Sequence, residues 1–113
     1  MTTPPDLDAL LETARQSALS AGALLRERFG TQLVVNEASH HDLKIQLDVD
    51  IQNLLTREIQ SAFPEHLILG EEGGEGSGGR GYEWILDPID GTVNLAYGIP
   101  HFCVSVACRL DDQ

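Results

Sequence analysis

The chain is poor in basic residues and in long apolar runs, and each shortage removes a class of partner. Seven Lys and Arg residues stand against 18 Asp and Glu residues, and the formal net charge is -11 at pH 7. Such a charge repels nucleic acid polymers and anionic membranes, so we expect neither as a partner. The sequence also contains no run that approaches the roughly 20 apolar residues of a membrane-spanning helix.

Cysteine is scarce as well, with Cys103 and Cys108 lying in an apolar run that is typical of a strand. Their odd spacing places the two side chains on opposite faces of a strand, which argues against a local disulfide. Two thiols without nearby partners do not form a zinc site. We therefore expect both cysteines to be small buried residues with free thiols, as in proteins of a reducing compartment. The polar N-terminal sequence does not resemble a signal peptide, and we accordingly expect a cytoplasmic protein.

Hydrophobic patterning predicts a layered α/β (α+β) fold, in which N-terminal helices pack on a mixed, mostly antiparallel sheet. A capping box from Thr3 to Asp6 is expected to start the first helix, and Gly30 is expected to end it. The second helix is expected to run from about Asp48 to Pro64. Strands are predicted at residues 33–36, 43–47, 66–69, 82–86 and 102–110, the first two joined by a turn, with a short helix at residues 92–97.

The hexapeptide that begins at Asp87 carries the strongest chemical signal. A predicted strand delivers Asp87, and a second carboxylate, Asp90, follows three residues later. Gly91 lets the backbone approach a ligand closely, and Thr92 opens a helix whose free N–H groups favour an anion. The carboxylates repel each other unless a cation lies between them, and Mg²⁺ prefers such oxygen ligands. The alternative is a plain turn, because Asp-Pro and Asp-Gly are ordinary turn dipeptides.

Three further acidic residues extend this pattern. Glu71 and Glu72 follow the strand that precedes the one ending near Asp87. If the two strands are parallel neighbours, their carboxyl ends coincide, which is where ligands bind in open α/β sheets. The alternative for this pair is a solvated acidic loop. Asp48 precedes the second helix, and an N-cap is its alternative role.

The segment at residues 84–95, WILDPIDGTVNL, resembles the first signature of the inositol monophosphatase family, a group of Mg²⁺-dependent, lithium-sensitive phosphatases. The sequence Gly-Glu-Glu at residues 70–72 is similar to the metal-binding glutamate segment of that family, and the resemblance covers roughly residues 42–107. The family's second signature, with a further aspartate, does not occur in the chain. Residues 1–113 are therefore expected to be the N-terminal part of a single domain with an incomplete sugar-phosphatase fold.

The resemblance implies a site for two or three Mg²⁺ ions, with Mn²⁺ as a substitute. Glu71, Asp87 and the backbone carbonyl of Ile89 would bind the first ion. Asp87 and Asp90 would share the second ion with the aspartate of the second signature. Glu71 would also reach a third, weaker ion through water.

The resemblance also implies the roles of the residues that handle substrate. Gly91 and Thr92 would offer backbone N–H groups to the phosphate. Thr92 and Asp48 would act together to orient or deprotonate the attacking water. The implied reaction is hydrolysis of a small phosphate monoester, such as inositol monophosphate, by metal-activated water without a covalent intermediate.

Several functional alternatives stay open. The substrate could instead be another phosphorylated sugar or alcohol, such as a sugar bisphosphate, or a nucleotide 3′-phosphate. The chain could also be an inactive metal-binding fragment or an interaction module, because it lacks one metal ligand. We accordingly expect weak or no activity from the isolated chain. The family resemblance implies a homodimer for a full-length protein.

Other patterns are interpreted as structural. The segment GSGGRG fits a dinucleotide-binding pattern, but that pattern must open a helix, whereas a strand-like segment follows here. A flexible glycine-rich loop is therefore expected at residues 73–81. His66 is expected to have a structural role, and Tyr82 and Trp84 are expected to face the core in alternation with Glu83.

Overall fold

The computed structural model describes residues 6–31, 33–38, 43–70 and 81–111. Helices pack on a mixed sheet in this part of the chain, which confirms the predicted layered fold. The elements, in chain order, are α1 (Leu7–Arg28), β1 (Val35–Ala38), β2 (Leu43–Ile45), α2 (Gln46–Ala62), β3 (Leu67–Gly70), β4 (Tyr82–Asp90), α3 (Thr92–Ala96) and β5 (Cys103–Leu110).

Helix α1 is capped by Asp6, whose backbone is extended and whose carboxylate accepts a 2.7 Å hydrogen bond from the Ala9 N–H. The helix therefore begins at Leu7, and the prediction that Asp6 lies inside a helix started by Thr3 is wrong. Asp6 satisfies a free N–H group of the first turn, which is the role expected of a capping residue. Gly30, with φ of 83°, follows the helix end as predicted.

Strands β1 and β2 form the predicted antiparallel pair, with Val35 opposite Ile45. Strand β2 ends at Ile45 and α2 starts at Gln46, so Leu47 belongs to the helix and not to the strand. Asp48 consequently lies inside the first turn of α2 and is not its N-cap. Its Oδ2 atom accepts a 3.0 Å hydrogen bond from the Ile45 N–H, which caps the helix from within.

A second sheet has the strand order β3–β4–β5, with β3 parallel and β5 antiparallel to β4. Strand β4 continues to Asp90, beyond its predicted end at Leu86. Pro88 has no N–H to donate to a ladder, but the pairing of β4 with β5 is irregular between Asp87 and Asp90. A proline is tolerated at such a bulge, and this is why the strand does not end before it.

The core lies between the helices and one face of this second sheet. Trp84 and Leu86 of β4 are fully buried in one apolar cluster with residues of α1 and α2, which confirms the predicted orientation of Trp84. The principal buried apolar residues are Ala21, Leu25, Ile45, Leu47, Ile51, Leu55, Ile59, Ile68, Trp84, Leu86, Ile89 and Leu95.

Glu83, which alternates with the core residues of β4, is nevertheless 1% exposed. It lies directly opposite Arg109 of β5, and the Arg109 Nε atom donates a 2.8 Å hydrogen bond to Glu83 Oε1. A buried carboxylate requires such compensation, since desolvation of an isolated charge is expensive. The charge of Glu83 is thus accommodated within the β4–β5 pair.

The cysteines are both free thiols, as the sequence predicted. Cys103 is exposed, so the expectation of burial is wrong for this residue, whereas Cys108 is half-buried and its pKa is raised by desolvation. Among the described residues, no helix is both long enough and apolar enough to span a bilayer. The glycine-rich segment predicted at residues 73–81 lies outside the described residues except for Gly81.

Candidate active site

The parallel pairing of β3 with β4 brings two strand ends to the same edge of the sheet. Gly70, the last residue of β3, is the register partner of Leu86. In the sequence, Glu71 follows Gly70 and Asp87 follows Leu86. The condition on which the predicted carboxylate site depended, parallel neighbouring strands, is therefore met. Glu71 and Glu72 themselves lie outside the described residues, and their roles stay predictions.

The end of β4 carries the remaining predicted cation ligands. Asp87 lies opposite Ser105 and is half-buried, with its Oδ1 atom shielded from solvent. Pro88 and Ile89 are buried, whereas Asp90 is exposed. The bulge between Asp87 and Asp90 separates a partly buried carboxylate from an exposed one within a short segment.

Gly91 occupies a position that other residue types do not fit. Its φ of 97° is left-handed, and a Cβ atom would lie 2.7 Å from the backbone oxygen of His101 and 3.1 Å from the Cα of Phe102. The same His101 oxygen accepts a 2.8 Å hydrogen bond from Asn94 Nδ2. The start of α3 is thus held tightly against the segment that leads into β5.

Thr92, the first residue of α3, is joined to Asp48 of α2. The Thr92 hydroxyl lies 3.2 Å from Asp48 Oδ1 and 3.1 Å from the backbone oxygen of Ile89. The hydroxyl has one proton for these two acceptors, and the ionised carboxylate is the stronger of them. Asp48 is 4% exposed, so a buried carboxylate orients a hydroxyl group at the end of β4.

The donor atoms near this strand end are suited to a hard cation. Asp87 and Asp90 offer carboxylate oxygens, and Ile89 offers a carbonyl oxygen with a second lone pair besides the one facing Thr92. Oxygen-only ligand sets favour Mg²⁺ over softer metals. Across the ranges that the structure describes, no three His, Cys, Asp or Glu side chains gather closely enough to hold a metal ion. The predicted ligand set includes Glu71, which is outside those ranges.

Comparison with known proteins agrees with this arrangement. The family described as "Inositol monophosphatase family" matches residues 6–112. The chain belongs to the inositol monophosphatase family. The resemblance predicted for residues 42–107 is thereby confirmed, and it extends to α1, for which the sequence offered no specific motif.

Individual members of the inositol monophosphatase family resemble the chain over part of their length. Nus factor SuhB of Pseudomonas aeruginosa is 40% identical over an alignment of 109 residues, and the match covers 91% of this chain and 40% of that protein. The fructose-1,6-bisphosphatase/inositol-1-monophosphatase of Aquifex aeolicus is 39% identical over an alignment of 104 residues, and the match covers 89% of this chain and 39% of that protein. The chain thus spans about 40% of the length of these relatives.

A solved structure of the inositol monophosphatase family agrees with the fold. The crystal structure of the extragenic suppressor protein suhB from Bartonella henselae superposes with a TM-score of 0.83 at 32% identity. The superposition covers 93% of this chain and 42% of that one. The arrangement of helices on a mixed sheet is therefore the arrangement of the family.

Two polar residues, Gln52 near the site and His66 at the opposite end of β3, have surroundings that no local sequence pattern specified. Gln52 is 7% exposed and lies one helical turn beyond Asp48 on α2. The spacing of four residues on an amphipathic helix was a usable signal, because it places both side chains on one face. His66 is buried, and its Nδ1 atom accepts a 3.0 Å hydrogen bond from the Trp84 indole. The predicted structural role of His66 is confirmed.

Proposed function

We propose that the protein acts as a Mg²⁺-dependent phosphatase that hydrolyses a small phosphate monoester such as inositol monophosphate. The observation that carries this proposal is the hydrogen bond between Thr92 and Asp48 at the end of β4. A hydroxyl group fixed by a buried carboxylate, beside the oxygen ligands Asp87 and Asp90, suits the activation of water next to a phosphate.

The cations would be held by Glu71, Asp87 and the carbonyl of Ile89 at one position and by Asp87 and Asp90 at a second. A third, weaker ion would be reached by Glu71 through water. The cations, Mg²⁺ or in its place Mn²⁺, would supply Lewis-acid stabilisation of charge on the phosphate and would acidify the attacking water. The chain has a net charge of -11, so a cation is also needed for an anionic substrate to approach this acidic edge.

The phosphate would be bound by backbone N–H groups of Gly91 and Thr92. The first N–H groups of a helix have no partner within it, and they are available to an anion. Helix α3 has only five residues, so direct hydrogen bonds, and not a long helix dipole, would provide this binding. The close contact between Gly91 and the backbone at His101 and Phe102 keeps these groups in place.

Thr92 and Asp48 would manage the proton of the attacking water. Because the Thr92 hydroxyl donates toward Asp48, its oxygen lone pairs are directed away from that carboxylate and can accept a hydrogen bond from water. Asp48, 4% exposed, would stabilise positive charge that develops on the hydroxyl. During attack at phosphorus, the Thr92 oxygen would take a proton from the water and release its own hydroxyl proton to the Asp48 carboxylate.

The choice of substrate is a further part of the proposal. One relative is named a fructose-1,6-bisphosphatase/inositol-1-monophosphatase, so a sugar bisphosphate stands beside inositol monophosphate as a candidate. A nucleotide 3′-phosphate is the third candidate.

We also propose that the aspartate completing the second cation site lies outside residues 1–113, so that this chain alone turns over substrate weakly or not at all. A homodimer remains our proposal for a full-length protein.

The test combines cation binding with phosphate release. Mn²⁺ binding by the chain is measured by electron paramagnetic resonance, which follows free Mn²⁺ and needs no turnover. Asp87→Asn should weaken binding, with Glu12→Gln on the exposed face of α1 as the control. Phosphate release from the three substrate types is then measured with Mg²⁺, with a chelator and with lithium. Equal Mn²⁺ affinity in the wild-type chain and in Asp87→Asn would contradict the assignment of Asp87 as a cation ligand. Rapid Mg²⁺-dependent phosphate release by the 113-residue chain would contradict the interpretation that this chain is an inactive fragment.

A further inference from the structure

Gln52 of α2 fits closely over the end of β3. The residue is 7% exposed, so its side chain is held inside the protein. A Cβ atom built on Gly70 would lie 2.3 Å from Gln52 Oε1 and 2.8 Å from Gln52 Nε2. The amide of Gln52 therefore occupies the space into which any side chain at position 70 would project.

The position of this contact relates it to the candidate active site. Gly70 is the last residue of β3 and the register partner of Leu86, which directly precedes Asp87. Gly70 does not have a left-handed φ, so other residue types can adopt its backbone conformation. A side chain at position 70 would therefore require the Gln52 amide to move, and the buried position that this amide occupies is compatible with the glycine present there.

A second glutamine on the same helix holds the opposite end of β3. Gln60 Nε2 donates a 3.2 Å hydrogen bond to the backbone oxygen of His66, just before the strand. A helical rise of about 1.5 Å per residue separates Gln52 from Gln60 by about 12 Å. A strand rise of about 3.3 Å per residue separates His66 from Gly70 by about 13 Å. The two glutamines therefore match the length of β3 and contact its two ends.

We propose that Gln52 is a positioning residue that fixes the carboxyl end of β3 against the end of β4, where Asp87 belongs to the cation site. This inference rests on the proposed function for the role of Asp87 as a cation ligand. Gln52 contacts the end of β3, and Asp48, one turn earlier on α2, is hydrogen-bonded to Thr92 just after β4. The same face of α2 thereby contacts the ends of both strands. Gln60 contacts only the amino end of β3 and has no such role.

The contact itself is tested by a pair of substitutions in the 113-residue chain. Gly70→Ala should lower Tm, because its methyl group meets the buried amide of Gln52. Combining it with Gln52→Ala removes that amide, so the double variant should lose less than the sum of the two single losses. Additive losses would show that Gln52 does not determine the space at position 70 and would overturn the inference.

The positioning role is tested by Mn²⁺ affinity, again from the free Mn²⁺ signal. Gln52→Ala should weaken binding about tenfold, the effect typical of a residue that orients a metal ligand. Gln60→Ala, the matched control, should stay within about twofold of the wild type despite its loss of a strand contact. Unchanged affinity in Gln52→Ala beside a wild type that binds Mn²⁺ overturns the positioning role alone. A wild type that binds no Mn²⁺ overturns the proposed function, and the positioning role with it.

Discussion

The hydroxyl of Thr92 lies 3.2 Å from Oδ1 of Asp48, a residue 44 positions earlier in the chain. The other oxygen of the same carboxylate accepts a hydrogen bond from the Ile45 N–H at 3.0 Å. Asp48 thus joins the start of α2 to the start of α3, and the latter follows the bulge at the end of β4. One buried carboxylate therefore fixes the relative position of the two segments that carry the proposed chemistry.

Thr92→Val should disrupt this link while keeping the size and shape of the side chain. Loss of the hydroxyl removes a partner from the buried Asp48 carboxylate, so the free energy of unfolding should fall by about 1–3 kcal/mol. Urea unfolding followed by circular dichroism measures the change. Thr92→Ser keeps the hydroxyl and is the control. If Thr92→Val and Thr92→Ser unfold alike, the hydrogen bond to Asp48 has no energetic role.

Gly91→Ala should be strongly destabilising for two separate reasons. The left-handed φ of 97° strains any residue with a Cβ atom, and that atom would also meet the His101 backbone oxygen at 2.7 Å. We expect a loss of about 2–4 kcal/mol in the free energy of unfolding. Gly98→Ala is the matched control, since Gly98 has a φ of 74° but no atom within 4 Å of the added carbon.

The difference between the two alanine variants isolates the backbone contact. Gly98→Ala should lose only about 1–2 kcal/mol, because it meets the strain of a left-handed backbone without a collision. Thermal unfolding of both variants at one pH gives the comparison. Losses of equal size would mean that the close approach of Gly91 to the segment before β5 contributes nothing.

Gly22→Ala should act in the opposite direction. Gly22 lies in the interior of α1, where glycine is less favourable than alanine by about 0.5–1 kcal/mol. No atom lies within 4 Å of an added Cβ, so the methyl group should be accepted without rearrangement. The variant should therefore gain about this amount of stability in urea unfolding. A loss of stability would indicate that Gly22 is required for close packing.

The sequence predicted the elements of this fold better than their ends, and Asp48 illustrates why. Asp48 was a reasonable N-cap, but its carboxylate reaches back to the Ile45 N–H from within the first turn. Both arrangements satisfy a free N–H group, and the observed one also lets Asp48 accept a hydrogen bond from Thr92, a contact that no local pattern specifies. The same ambiguity between two capping positions explains the later start of α1 at Leu7.

The site was predictable where its residues are neighbours in sequence, and less so where they meet across the fold. The signature from Asp87 to Thr92 identified the end of β4 directly. The contact of Gln52 with Gly70 depends on how α2 crosses the sheet, and no local pattern specifies that crossing. The burial of Glu83 likewise depends on strand register, since it requires Arg109 directly opposite.

His66 should make the stability of the core sensitive to pH. Its Nδ1 atom accepts a hydrogen bond from the indole N–H of Trp84, which requires the neutral ring, and the ring stacks on Phe63 and Tyr82. Burial lowers the pKa of His66 below its ordinary value of 6.5, and the nearby charge of Glu65 opposes this shift only in part. The unfolded chain therefore binds a proton at a higher pH than the folded one.

The direction of the pH effect follows from this difference in proton binding. The neutral His66 ring contributes to the free energy of unfolding, and this contribution should be fully present above about pH 6.5, the pKa of histidine in the unfolded chain. It should be lost as the pH falls below that value and through the lowered pKa of His66 in the folded state. Trp84 is the only tryptophan in the chain, so its fluorescence reports the loss of the hydrogen bond directly. His66→Asn, whose side-chain oxygen accepts the indole N–H without titrating, should abolish the fluorescence change between pH 7 and pH 5. A change that persists in His66→Asn would assign the pH response to another group.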